Sequence, residues 1–260
     1  MMQALRIAAT GMHAQQLNVD VLSNNIANLN TTGFKQSQAA FEDLMYLNRV
    51  GVGAITSGSG TLAPTGMQIG LGVNTGSVYK IMAQGTLANT GNNFDMAVSG
   101  RGFLRITLPD GTTAYTRDGS LQVNQDGQIV SKEGYPLDPA ITVPATATDF
   151  TISGTGVVSA KVDNAVTELG TITLSMFTNE AGLQNIGDNY YLATEASGTA
   201  TDTTAGEGGA GTISQGFLEQ SNVDSVESIT KLITAQRAYE LNSKVITAAD
   251  QMLQTLNQVT

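Results

Sequence analysis

Residues Gln220 to Thr260 read QSNVDSVESITKLITAQRAYELNSKVITAADQMLQTLNQVT. Within them Leu232, Tyr239, Ile246 and Leu253 recur every seven residues, and Ala235, Asn242, Ala249 and Leu256 repeat the pattern three positions later. Side chains at that interval fall on one side of a helix, so the spacing predicts a long helix with a heptad seam. Asp224, with Glu227 three residues on, forms a capping-box pattern that marks the start of this helix. Ala238, Val245 and Met252 add a third row. The stripe is therefore wide enough to touch more than one neighbour.

The N-terminus repeats the pattern. Leu5, Met12, Val19 and Ile26 are seven apart, with Ala8, Gln15, Leu22 and Leu29 at the matching positions. The seam residues Leu5, Met12, Val19, Leu22, Ile26, Leu232, Tyr239, Ile246 and Leu253 are the candidate assembly interface. Heptads alone leave two readings open: a terminal coiled coil, or two amphipathic helices on one globular core. Charge favours the first. Between Met1 and Phe34 only Arg6 and Asp20 carry formal charge, while Gln3, Gln15, Gln16, Asn18, Asn24, Asn25, Asn28 and Asn30 supply amides. A solvated helix face carries mixed charge, so this one is expected to be sheltered, by other copies of the chain.

Composition narrows the classes. At 260 residues the chain can bury a core or two, yet only 13% of residues are charged and 5% aromatic. The net charge of −10, with 12 Lys plus Arg and no basic cluster, argues against nucleic acid. Cysteine is absent, which removes disulfides and thiolate metal sites. No apolar run is long enough for membrane insertion. The broken apolar pattern of the first residues is not that of a cleavable secretory signal.

Along the chain, Asn28 to Phe34 is a cluster of turn formers that ends the first helix. A short amphipathic helix is expected from Gln36 to Leu47, with Phe41, Leu44 and Met45 on one face. Arg49 to Gly66 is rich in Gly and Ser and reads as a flexible loop. Strands are expected from Met67 onward, through Ile69, Leu71, Val73, Val78, Tyr79 and Ile81 to a turn at Gln84-Gly85. Between Phe94 and Pro136, Asp110-Gly111, Asp118-Gly119 and Asp126-Gly127 separate alternating runs, a pattern that predicts three hairpins of one antiparallel meander. Further strands are expected at 141–143, 150–152, 157–162, 169–177 and 190–193. Ser197 to Gly211 reads as a polar return segment. The fold class is α+β: long terminal helices pairing as a coiled coil, with a mainly antiparallel β insert, in an elongated subunit.

Chemistry finds little support. His13 is the only histidine, with no thiol to pair with and no nucleophile elbow in the chain. Gly206 to Gly211 matches G-x-G-x-x-G but lacks the strand before it and the helix after it, and Glu207 would repel a phosphate. Asp110, Asp118 and Asp126, eight apart, could suggest calcium, but each precedes Gly and serves a turn. No catalytic residue, cofactor or metal is expected.

Two terminal motifs carry a resemblance. Ser23-Asn24-Asn25-Ile26-Ala27-Asn28-Leu29-Asn30-Thr31-Thr32-Gly33-Phe34-Lys35 resembles the N-terminal signature of bacterial flagellar rod and hook proteins, and Gln236-Arg237-Ala238-Tyr239-Glu240-Leu241-Asn242-Ser243-Lys244 resembles their C-terminal one. Ser99-Gly100-Arg101-Gly102-Phe103 and Tyr115-Thr116-Arg117-Asp118-Gly119 are similar to the family's β motifs. The motif residues carried over are Asn24, Asn25, Asn28, Gly33, Phe34, Arg237, Tyr239 and Asn242. Leu104 departs from the pattern, since an aromatic often follows the position of Phe103. Segment 47–64 resembles an insertion of the distal-rod branch, so the resemblance reverses the flexible-loop reading of that stretch.

The resemblance implies a non-enzymatic axial subunit, polymerising head to tail into the distal rod that passes motor torque to the hook. It implies three domains: 1–30 with 222–260, 31–85 with 206–221, and 86–205. It implies as partners other copies of the chain, proximal rod proteins, hook protein, P-ring and L-ring proteins and the flagellar type III export apparatus. The location implied is the basal body, from periplasm to outer membrane. A proximal rod or hook subunit is the near alternative, and a secreted β-rich binding module the distant one.

Overall fold

The computed structural model describes residues 2–50, 65–162 and 165–259, without the side chains of Val50 and residues 256–259. Most of the 47–64 insertion, and the side chain of Leu256, lie outside the described residues. The chain folds into two compact units. One gathers residues within 1–26, 37–79 and 225–260, the other 27–36 and 80–224.

The first unit contains α1 (Met2–Ala27), β1 (Ser37–Asp43), β2 (Tyr46–Val50), β3 (Met67–Gly70) and β4 (Val73–Lys80). Near the other end of the chain it adds α2 (Ser225–Val259). Both helices are rich in Ala, Leu and Gln and free of Pro, a composition that favours helix. They approach closely at Gly11, where a Cβ would lie 2.9 Å from Asn242 Nδ2. Gln16, Val19, Gln236, Tyr239 and Glu240 line one groove, so α1 advances past Gly11 as α2 retreats from Asn242, and the two run antiparallel here. Leu22 and Ala8 are buried on α1, Ala235 and Ala249 on α2.

β1 pairs with β4 and β2 antiparallel with β3. The bonds Leu44 N to Gly72 O (2.9 Å) and Leu71 N to Met45 O (3.2 Å) join the pairs into one two-stranded ribbon. The ribbon touches α1 at Thr10, whose hydroxyl donates to Ile7 O (2.8 Å) and accepts from Val73 N (3.4 Å). Asn25, near the end of α1, pairs with Ser37 in both directions. Its Nδ2 donates to Ser37 O and its Oδ1 accepts from Ser37 N, each at 2.8 Å.

The second unit holds β5 (Leu87–Asn89), β6 (Met96–Ser99), β7 (Leu104–Thr107), β8 (Thr113–Thr116), β9 (Leu121–Val123), β10 (Ile129–Ser131), β11 (Phe150–Ile152) and β12 (Val157–Val162). It continues with β13 (Ala165–Thr171), β14 (Thr173–Met176), β15 (Gln184–Gly187), β16 (Tyr190–Leu192), β17 (Thr201–Thr204), β18 (Thr212–Gln215) and β19 (Phe217–Glu219). The largest sheet has the order β15-β16-β8-β7; β11-β12-β13 form a second, and β14-β17, β18-β6, β19-β5 and β10-β9 are pairs. All the registers are antiparallel. Met96, Leu104, Ile106, Leu121, Ile129, Ile172, Leu174 and Ile213 form the main core. Phe103, Tyr115, Phe177 and Tyr191 form a smaller one, in which the Tyr115 and Phe177 rings meet edge to face at 4.8 Å.

Three sequence expectations are corrected. The helix expected at 36–47 is instead β1 and the start of β2. Phe41, Leu44 and Met45 fit a helical face, but the backbone's hydrogen bonds go to β3 and β4, a partner that a local pattern cannot reveal. The meander also breaks. Asp110-Gly111 turns β7 into β8 and Asp126-Gly127 turns β9 into β10, whereas β8 and β9, on either side of Asp118-Gly119, do not pair. Here the backbone of β6 intrudes: Met96 N donates to Gly119 O (3.0 Å), and a Cβ on Gly119 would fall 1.6 Å from Met96 O. Finally, a strand does precede Gly206 in the polar return segment 197–211, where none was expected. This strand is β17, and Ser197 and Ala205 are fully buried, because small residues pack where bulk would not fit.

Candidate functional site

The candidate interface residues divide by exposure. On α1, Leu22 is buried and Leu5, Met12, Val19 and Ile26 are half-buried; on α2, Leu232, Ile246 and Leu253 are half-buried and Tyr239 is 42% exposed. A different row of α2 is the open one: Val226, Ile229, Ile233, Leu241, Val245 and Met252 are 45 to 74% exposed. They recur at intervals of three, four, eight, four and seven residues, close to multiples of a helical turn. A helix with apolar residues on both a covered and an open face is only half-partnered within its own unit. The third row of the sequence analysis, Ala238, Val245 and Met252, overlaps this face; Val226, Ile229, Ile233 and Leu241 were missed, because a heptad count rewards one seam.

The motif residues take separate places. Asn25 is buried in the clamp on Ser37, and Asn28 Oδ1 accepts from the Thr31 hydroxyl at 3.2 Å. Asn24 and Arg237 are exposed, and Asn242 lies against Gly11. Gly33 sits at φ +66°, where its missing Cβ would be 2.7 Å from Asp118 N, so both the left-handed turn and the close approach require glycine. Phe34 is 6% exposed, with Lys80 Nζ 4.4 Å above its ring.

Beyond Phe34 the motifs converge, all inside the second unit. Lys35 is fully buried, and its Nζ donates to Glu219 Oε1 (2.5 Å) and Ala83 O (2.9 Å). Glu219 Oε1 also accepts from Gly85 N (2.8 Å), and its backbone oxygen accepts from Gly33 N (2.8 Å). Arg117 closes the cluster. Its Nη1 donates to Gly100 O at 2.8 Å and lies 3.5 Å from Glu219 Oε2, an ion pair too long for a hydrogen bond, and its guanidinium stacks 5.0 Å from the Phe103 ring. Burial lowers the pKa of both cations from its usual value, opposed by the Glu219 carboxylate. Lys35, Arg117, Gly100 and Phe103 each come from a motif quoted above. Nothing in the sequence pairs any of them with Glu219.

The candidates for other chemistry have local work. The Thr112 hydroxyl and amide donate to Asp110 Oδ1 at 2.7 and 3.0 Å, which lowers its carboxyl pKa. Asp118 Oδ1 takes the amide and hydroxyl of Ser120 at 3.0 and 2.8 Å. Among the described residues no group of three His, Asp or Glu is placed to hold a metal ion, and no helix is long and apolar enough to cross a membrane. His13 is exposed on α1.

Three family descriptions match the chain. Residues 5–35 match the flagella basal body rod protein family, residues 97–160 the flagellar hook protein FlgE/F/G D1 domain, and residues 214–259 the flagellar basal body rod FlgEFG protein C-terminal family. The chain is 54% identical, over 99% of both sequences, to the flagellar basal-body rod protein FlgG of Caulobacter vibrioides. It is 48% identical to that of Agrobacterium fabrum over 96% of this chain and 97% of the relative. With that of Bacillus subtilis the identity is 37%, over 98% of each.

Proposed function

The chain belongs to the flagellar basal-body rod protein family, and from that membership we propose how it works: as a non-enzymatic structural subunit of the distal rod that polymerises into a helical tube and transmits motor torque to the hook. The observation that carries the mechanism is the open apolar row of α2. One face of that helix meets α1 within the chain; the other, from Val226 to Met252, is left for further copies. A repeated contact that does not close on itself generates an open helical assembly. Helices of 26 and 35 residues span about 39 and 53 Å at about 1.5 Å per residue, long enough to reach beyond one neighbour. Each large apolar side chain covered contributes roughly 1.5 to 3 kcal/mol, so several per subunit offset the cost of ordering.

In this reading the two helices form a coiled coil that is completed by neighbouring subunits through Leu5, Met12, Val19, Leu22, Ile26, Leu232, Tyr239, Ile246 and Leu253 together with the open row. The molecule works as three domains, 1–30 with 222–260, 31–85 with 206–221, and 86–205. Segment 47–64 braces adjacent subunits. Proximal rod proteins, hook protein, the P-ring and L-ring proteins and the type III export apparatus are its partners, in the basal body from periplasm to outer membrane. Electron microscopy of concentrated chain, with and without residues 1–30, tests the proposal: straight tubes that vanish on truncation are expected. Curved tubes would point to a hook-like subunit, and calcium or glycan binding by residues 86–205 without any tube would turn the reading into that of a binding module.

A further inference from the structure

The chain crosses between its two compact units four times, at residues 26/27, 36/37, 79/80 and 224/225. Inside the second unit, the stretches next to these crossings are bonded to one another. Ile81 N donates to Gln36 O (2.9 Å) and Lys80 Nζ to Lys35 O (3.0 Å). The Asn222 side chain spans all three stretches: its Oδ1 accepts from Gln36 N (2.7 Å) and its Nδ2 donates to Ile81 O (2.9 Å) and Ala83 O (3.0 Å). Gln220 N donates to Thr86 O (2.8 Å). At the centre stands Glu219, which takes Lys35 and Gly85 on one carboxylate oxygen and faces Arg117 with the other.

Buried cations outnumber buried carboxylates in this centre, with Glu180 as a weaker opposing charge on both cations. Two buried cations, Lys35 and Arg117, share one buried carboxylate, and Arg117 Nε and Glu219 Oε2 are buried without a hydrogen-bond partner. A core built for stability alone does better with apolar residues, since desolvating such a cluster costs as much as its Coulomb attraction returns. What the ions supply is geometry, because a carboxylate with two fixed donors on one oxygen and a guanidinium facing the other sets where three segments lie. We infer that Lys35, Glu219 and Arg117 form a coupling lock, a conformational device that fixes the spacing of the chain's crossing segments 31–36, 80–86 and 219–224 and opens separately from the apolar core of the same unit. Its use in carrying torque rests on the rod reading above; the lock itself does not.

Amide hydrogen exchange on the full-length chain tests this. Glu219→Gln strands two cations. The amides of Gly33, Ile81 and Gly85 should then exchange about 100-fold faster or more, while those of Ile129 and Ile172, bonded to Ile141 O and Gly156 O in the apolar core, keep their rates. Lys35→Met leaves a neutral pair of Arg117 and Glu219, so it folds even where Glu219→Gln does not, and should give the same pattern at about 10-fold. Equal acceleration of the Ile129 and Ile172 amides, or no acceleration at Gly33 and Gly85 in the folded variant, would overturn the inference. Failure of the wild-type chain to form tubes would sink the rod reading and leave this result standing.

Discussion

Gly11 of α1 faces Asn242 of α2 so closely that a Cβ would lie 2.9 Å from the amide nitrogen. That atom is the tip of a flexible side chain, so a methyl group can be accommodated while a branched one cannot. Gly11→Ala should therefore raise helix stability by about 0.5 to 1 kcal/mol, the usual gain on replacing a helical glycine. Gly11→Leu should cost about 1 to 3 kcal/mol through overpacking. Thermal melts followed by circular dichroism at 222 nm would separate the two signs.

Two Asp-Gly pairs that look alike in sequence should respond differently to the same change. A Cβ at Gly119 would overlap Met96 O, a backbone atom that cannot swing aside, so Gly119→Ala should destabilise the second unit by about 3 kcal/mol or more. At Gly111 nothing lies within 4 Å and φ is +81°, so Gly111→Ala should cost only about 1 to 2 kcal/mol of backbone strain. Urea titration of both variants checks the difference.

Alkaline pH should expose the buried tyrosines. Burial pushes the Tyr191 phenol up to about 12 from 10.0, and burial with the Glu133 hydrogen bond raises Tyr190 as well. The unfolded chain loses these protons first, so stability falls as pH rises from 10 toward 12, by roughly 2 to 3 kcal/mol for Tyr191. Lys35 and Lys80 have lowered pKa values, and their slope is opposite: the penalty for burying their charge is full at low pH and relaxes as pH climbs toward 10.5. Tyr191→Phe should flatten the decline above pH 10, measured as the urea midpoint against pH.

On α2 the two faces should separate folding from assembly. Ile233→Asp and Val245→Asp alter the open row, so the chain should keep its melting temperature within about 2 to 4 °C and fail to form tubes. Ile246→Asp, half-buried in the seam, should block tubes and also weaken the first unit by about 2 kcal/mol, while the β unit still folds. Sedimentation and calorimetry of the three variants would decide it.

Legibility followed the range of the interactions. The terminal helices announce themselves because Leu232 and Ile246, or Leu5 and Val19, repeat within a local period that any helix must obey. Turns at Gly111 and Gly127 are legible for the same reason. The ribbon was misread because the residues around Phe41 satisfy a helical face as well as a strand, and only the distant strand at Val73 decides between them. Gly119 was misread because Met96, 23 positions earlier, occupies the space a hairpin would need. The Lys35 centre was illegible, although Lys35 and Arg117 sit in quoted motifs, since a lone buried Lys and a lone Glu carry no mark of each other.

Lys35 and Glu219 are 184 residues apart, and that distance governs the order of events in folding. β5, β6 and β14 likewise await β19, β18 and β17. A chain growing from its N-terminus thus makes Lys35 and Arg117 long before it makes their counter-charge, and most of the strands of the second unit before the ones that complete its outer pairs. Loop closure on this scale is slow and brings no return until the last partner is present. The Lys35–Glu219 contact and the pairs β5–β19 and β6–β18 therefore close only after residues 212–219 have been made, later than local hairpins such as β7–β8 and β9–β10.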